Sequence, residues 1–330
     1  MSSRSRWPFF LLLFLPLVLA GCAALSPEAP RSGPPLLYLP PDDPGLLARH
    51  APLFVPQSLR QSHNRIGRPS LRSAGPGDEG DDAFVDPSQA IIYAESRRFA
   101  TGRGHYTNLI YRIHFPAVPL AHLTAGRNSG LIVIVTLDAD ARPLLVTTVH
   151  TCGCYRAMVP TSLLDPAALP AGWEEAEPQR LWGENLPAIL RYDDGDKGQP
   201  RLLVFLRDDT HRVMDLRFAG MSEVRRNFTT VPIGFAPMAA LASLPRPEGG
   251  SGSFFEEEGW RKGYVKDSFK PWEMLLISWW ALDFHVGCDK EYGDPSTSDT
   301  VFYTSLKPWN RLKSDMRDFA AFLAFWGWRL

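Results

Sequence analysis

Seven consecutive residues, Leu131 to Leu137 (Leu-Ile-Val-Ile-Val-Thr-Leu), leave this 330-residue chain little choice of fold. The run is continuous, apolar and β-rich, the pattern of a strand buried in the interior. A turn-like break follows at Asp138-Ala139-Asp140-Ala141-Arg142-Pro143, and β-rich sequence resumes from Leu144 to Tyr155. Two such runs across a short polar break predict a hairpin. Leu109, Tyr111, Ile113 and Phe115 alternate with Ile110, Arg112 and His114, which is the period of a strand. Further strands are expected at Ile91 to Tyr93, Arg201 to Leu206 and Val213 to Phe218.

Beyond residue 270 the period changes. Pro271 to about Phe284 reads as a helix carrying Trp272, Leu275, Leu276, Trp279, Trp280 and Phe284, with Pro tolerated in its first turn. Pro308 to Trp326 is a second helix on the recurrence of Leu312, Met316, Phe319, Phe322, Leu323 and Trp326, and Gly327 suits its end. A Trp-rich helix is able to touch a membrane, but stripes of this kind are expected to form the core face of a helix packed on a sheet. The fold expected for residues 88–330 is therefore a single α+β domain, an antiparallel sheet with C-terminal helices on one face.

The N-terminus has the layout of a secretory signal. Arg4 and Arg6 precede a nearly pure apolar run from Trp7 to Leu19, broken by Pro16 and followed by Ala20 and Gly21. The run is too short for a stable span. Its end, Leu19-Ala20-Gly21-Cys22, resembles the lipobox of bacterial lipoproteins, a resemblance confined to the first two dozen residues. It implies removal of residues 1–21, a diacylglycerol thioether on Cys22, and an acylated (for example palmitoylated) amino group, enough lipid for stable anchoring. Ala23 in place of an aspartate favours the outer membrane, periplasmic face, over retention at the inner one.

Residues 22–87 hold twelve prolines, so regular helices and central strands are not expected there. The first dozen residues read as a tether. Leu36 to Leu39 and Leu53 to Val55 are too apolar for a solvated linker, and an extended strap lying against the main domain is expected. The chain carries 35 basic and 36 acidic residues, and loss of Arg4 and Arg6 leaves the mature form near −3. That balance gives no footprint for nucleic acid. The partners implied are the membrane, through the N-terminal lipid, and an envelope protein.

One cluster has the residue types for chemistry: His150-Thr151-Cys152-Gly153-Cys154-Tyr155. On a continuing strand, His150, Cys152 and Cys154 would share one face. His285 and Cys288 would close a tetrahedral zinc site or a thiolate-rich copper(I) site. Three cysteines remain after Cys22, an odd number in an oxidising compartment. A disulfide from Cys288 to Cys152 or Cys154, free buried thiols, and a metal or reactive-thiol site all compete. A Cys152–Cys154 bridge is disfavoured if both sit on a regular strand. If the hairpin turns near Asp140, Cys154 falls opposite Arg127, whose guanidinium would favour a thiolate. No Walker loop, His-Glu-x-x-His or dinucleotide fingerprint occurs, and no catalytic residue is assigned. The reading is a lipid-anchored envelope protein that binds a partner or supports assembly, with a metal-binding or thiol-active periplasmic protein as the alternative.

Overall fold

The computed structural model describes residues 34–73, 81–193, 199–293 and 300–330. The lipobox and Cys22 lie outside these residues. Pro35–Leu330 forms one compact unit, and, short two- and three-residue pairs aside, its strands are β1 (Leu36–Leu39), β2 (Leu53–Pro56), β3 (Arg68–Ser73), β4 (Asp81–Asp86), β5 (Ile91–Thr101), β6 (Gly104–His114), β7 (Gly130–Leu137), β8 (Pro143–His150), β9 (Ala157–Pro160), β10 (Arg201–Leu206), β11 (Val213–Ala219), β12 (Thr229–Pro232) and β13 (Gly234–Pro237). A six-stranded sheet in the order β9-β8-β7-β6-β5-β13 is antiparallel throughout except at its β5–β13 edge. A mixed five-stranded sheet runs β11-β10-β2-β1-β12.

The buried run at 131–137 is β7, and both of its faces are covered. Leu131, Val133 and Val135 meet Phe54, Leu202, Val204 and Leu216 of the five-stranded sheet in one core. Ile132 and Ile134 point the other way, into a second core with Phe302, Met316, Phe319, Phe322 and Leu323. That second core explains the absence of polar alternation: the C-terminal segment supplies the layer that an open sheet would leave to water. The domain is thus α+β, with antiparallel sheet at its centre and helices following in the C-terminal part.

Three expectations are corrected. Residues 36–56 are not a strap laid on the domain: β1 and β2 are interior strands of the five-stranded sheet, with Leu37, Leu53 and Phe54 fully buried. The prolines are compatible because they flank the strands (Pro35, Pro40, Pro52) or end one (Pro56), where no ladder donor is lost. The second predicted helix is shorter. Helix α2 spans Phe319–Phe325, and residues 308–314 form two 3₁₀ turns. Backbone groups there pair with 302–304 instead, as in Met316 N to Phe302 O at 3.0 Å, and the helix starts where the Asp318 carboxylate caps Ala321 N at 3.1 Å.

The Trp-rich helix, α1 (Pro271–Ala281), forms where predicted but faces the opposite way. Glu273 and Ala281 are its buried positions and Ile277 lines a cavity, an inner stripe four residues apart. Trp272, Leu275, Leu276, Trp279 and Trp280 are exposed. Tertiary contacts chose the stripe of Glu273, Ile277 and Ala281 for the interior and left the Trp- and Leu-rich one outside.

Candidate functional site

Strand β8 ends at His150, and the chain reverses before β9. His150 N donates to Cys154 O at 2.9 Å and Gly153 N to His150 O at 2.7 Å. Gly153 has φ +92°, and a Cβ there would stand 2.1 Å from the Tyr303 carbonyl oxygen, so glycine is required for both conformation and approach. Because the strand stops, Cys152 and Cys154 do not sit at same-face strand positions. They face across a tight turn and form a disulfide, with Cα atoms 5.6 Å apart. The bridge expected to involve Cys288 is therefore absent, since the regular strand that argued against a Cys152–Cys154 pair does not continue through them. Cys288 is a buried free thiol; burial pushes its pKa up, opposed by Arg261, whose Nη1 lies 3.7 Å from the sulfur.

The segments around 150 and 285, unconnected by any sequence signal, do meet. Lys290 N donates to Thr151 O at 2.8 Å, and the fully buried Lys290 Nζ donates to Cys152 O at 2.7 Å and Cys288 O at 3.3 Å. Burial pulls that ammonium down to about 8, with Asp283, Cys288 and Asp289 opposing the shift. Thr151 Oγ1 donates to Asp289 Oδ1, whose other oxygen pairs with Lys270 Nζ at 3.3 Å, all of them buried. Burial lowers the Lys270 pKa, but Asp289 and Glu273 more than offset it, so the net shift is upward. This network clamps the disulfide turn from behind, and its polar groups are spent on one another.

In front of the turn lies a cavity of about 410 Å³. The Cys152–Arg156 turn, Leu123, Trp182, Ile277, Val286, Leu306 and Trp326 wall it, with Arg212 and Glu273 at its polar positions. Arg212 is committed to Glu184 at 3.2 Å, which also receives Arg207 through two hydrogen bonds. Arg156 is not committed. Its guanidinium stacks 3.6 Å above the Trp326 ring and burial pulls its pKa down to about 10. Among the described residues no carboxylate or hydrogen-bond acceptor meets that guanidinium. Trp326 is itself fixed by Nε1 donating to Thr304 Oγ1 at 3.1 Å, and Trp182 by Nε1 donating to Arg156 O at 3.1 Å.

The remaining predicted site residues fall apart from one another. His150 is buried, its Nε2 donating to His211 O at 3.2 Å, and burial with Lys270 nearby pushes its pKa down to about 3. His285 packs between Trp260 and Tyr264, ring centroids 4.5 and 4.9 Å away. Arg127 lies 3.4 Å from Asp82, pairing with β4 rather than activating Cys154. Among the described residues no group of three or more His, Cys, Asp or Glu is arranged to hold a metal ion. Sequence reasoning missed Arg156 and Trp326. The adjacency of Arg156 to the Cys-Gly-Cys turn was the available signal for the first, and nothing in the sequence joins it to a tryptophan 170 positions later.

No family model matches the chain, and no curated protein matches it. Among solved structures it is similar to one described as NLPPya in complex with mannosamine, at 16% identity, covering 56% of this chain and 82% of that one, with a TM-score of 0.25. A superposition of that quality does not define a common fold.

Proposed function

We propose that this is a lipid-anchored envelope protein whose folded unit is a non-enzymatic binding module, taking an amphiphilic anion into the cavity beside the Cys152–Cys154 turn. The ligand class is an apolar body ending in a carboxylate or phosphate. Arg156 carries the reading. A guanidinium held among indole and aliphatic walls, with no counter-charge among the described residues, is costly unless an anion completes it. The cavity volume lies within the roughly 300–1,000 Å³ usual for small-molecule sites, and its walls are mostly apolar with few polar groups. The anchor rests on Leu19-Ala20-Gly21-Cys22, and Ala23 favours the outer membrane.

The test titrates the full chain with a dansylated medium-chain fatty acid and with its methyl ester. The acid binds more tightly than the ester. Arg156→Gln weakens the acid by about tenfold or more, the worth of one charge-assisted hydrogen bond, and leaves the ester unchanged. Failure of the acid to bind, or equal binding by the variant, overturns the reading. The anchor is tested separately, by the mass of the peptide that begins at Cys22; an unmodified sulfhydryl there removes it.

A second reading, thiol–disulfide exchange, is favoured by one observation: both Cys152 and Cys154 line the cavity. A partner dithiol would attack one sulfur and expel the other as thiolate. Resolution by the partner's second thiol leaves Cys152 and Cys154 reduced and the partner oxidised. Zinc or copper(I) binding at Cys152 and Cys154 requires this reduction first. After incubation in a glutathione redox buffer, the denatured protein would then show two more reactive thiols than before it, those of Cys152 and Cys154. An unchanged count sinks this reading.

A further inference from the structure

Helix α1 has one ionisable residue, Glu273, and that residue is turned inward and buried. The outward face is left without charge. Trp272, Leu275, Leu276, Trp279, Trp280 and, just beyond the helix, Phe284 are between 42% and 76% exposed. Single exposed apolar residues are ordinary, but seven within thirteen positions, counting Leu282, on one helix and the residues just after it are not. The surface extends past the helix. Trp272 Nε1 donates to the carbonyl of exposed Leu120 at 2.9 Å. Arg311, flanked in sequence by exposed Trp309 and Leu312, donates from Nη2 to Ala281 O. Trp260, 75% exposed, packs on His285 at 4.5 Å.

Charge decides what this surface fits. Residues 300–314 contain Lys307, Arg311 and Lys313 and no acidic side chain, and both lysines are exposed beside the apolar residues. Around Trp260 the chain carries Glu256, Glu257 and Glu258 with Arg261 and Lys262, so the net positive charge lies with the 307–313 segment. Indole rings on a convex helix, with lysines at its border, match the headgroup level of a bilayer, where amphipathic rings sit between apolar and aqueous phases and cations meet anionic lipid. We infer that α1 and the 306–313 segment form a membrane-docking surface, which inserts the α1 side chains into the interfacial layer of an anionic phospholipid bilayer while Lys307 and Lys313 contact its phosphates. Ile277 of α1 and Leu306 also wall the cavity, so docking sets the cavity beside the acyl boundary. The inference stands on this surface alone, whether or not the cavity takes a ligand and whether or not Cys22 is acylated.

The experiment uses the full chain with vesicles of phosphatidylcholine, alone or mixed with phosphatidylglycerol, with acyl chains brominated for one series. Two readouts apply: quenching of tryptophan fluorescence by the brominated chains, and hydrogen exchange of residues 271–284. Both report where α1 sits, not whether the chain is tethered. Phosphatidylglycerol vesicles are expected to slow exchange in 271–284 by about tenfold or more and to quench the exposed indoles. Leu276→Glu with Trp279→Glu, two exposed positions whose change leaves thermal unfolding in place, abolishes both effects. Lys307→Glu with Lys313→Glu raises the vesicle concentration needed by about tenfold at low salt, with no change on phosphatidylcholine alone. Equal exchange with and without vesicles overturns the inference. So does protection already present without vesicles in a species of dimeric mass, which would make a second copy the occupant, or protection that appears only when an envelope protein is added.

Discussion

Replacing Asp289 by alanine removes the carboxylate that pairs with Lys270 at 3.3 Å, where both side chains are essentially inaccessible, and leaves that ammonium only the more distant Coulomb attraction of Glu273. The ammonium then stays buried beside Lys290, and Thr151 Oγ1 loses its acceptor. Leaving one charge of a buried pair uncompensated costs about 3–5 kcal/mol. Against a net stability of about 5–15 kcal/mol for an ordinary domain that is a large share, and it lowers the folding constant at least about a hundredfold. Removing both charges, as Lys270→Met with Asp289→Ala, costs far less than the two single changes together, since neither ion is left to desolvate alone. Urea unfolding of parent, singles and double at pH 7 yields the coupling free energy, expected at about 3 kcal/mol. A coupling near zero, or an Asp289→Ala penalty below about 1 kcal/mol, refutes the claim that this network clamps the disulfide turn.

Gly153→Ala meets both a left-handed backbone and the Tyr303 carbonyl 2.1 Å from the new Cβ, whereas Gly172→Ala, at φ +76°, meets nothing within 4 Å. The second is expected to cost about 1–2 kcal/mol and the first clearly more, measured by denaturant unfolding, and equal costs refute the close approach. Burial holds His150 down to about 3 and His50 to about 4, and puts His114 and His211 well below the ordinary imidazole value. The unfolded chain therefore binds protons first as pH falls through 6.5, so this stability is present above 6.5 and is lost below it, at about 1.4 kcal/mol per pH unit for each imidazole. His150→Gln is expected to reduce the slope of unfolding free energy between pH 6.5 and 4 by that amount, and an unchanged slope contradicts the burial of its ring.

How far the sequence reached differs between elements for physical reasons. Local pattern located β7, β10 and β11 nearly to the residue, and the start of β8 but not its end at His150, since β-branched runs and turn residues act through neighbouring backbone. It located α1 as well, but not its orientation: amphipathicity gives the stripe, and the partner layer decides which stripe is covered. Proline content misjudged 36–56, because the damage proline does depends on whether it interrupts a ladder or ends one. The site was half legible. Cys152 and Cys154 were visible as a cluster, yet whether they align on a strand or close on a turn depended on the contact between Gly153 and Tyr303, 150 positions apart.

By itself the sequence located strands β5, β6, β7, β8, β10 and β11, the β7–β8 hairpin and two C-terminal helical segments, all of them encoded within windows of a few residues. Tertiary structure alone decided that Lys270, Asp289 and Lys290 lie behind the Cys152–Cys154 turn, that Arg156 rests on Trp326, and that the indoles of α1 face outward. Each of these is a contact between segments far apart in the chain, made or refused by the packing of whole layers, and the identity of a residue says nothing about which distant surface will arrive beside it.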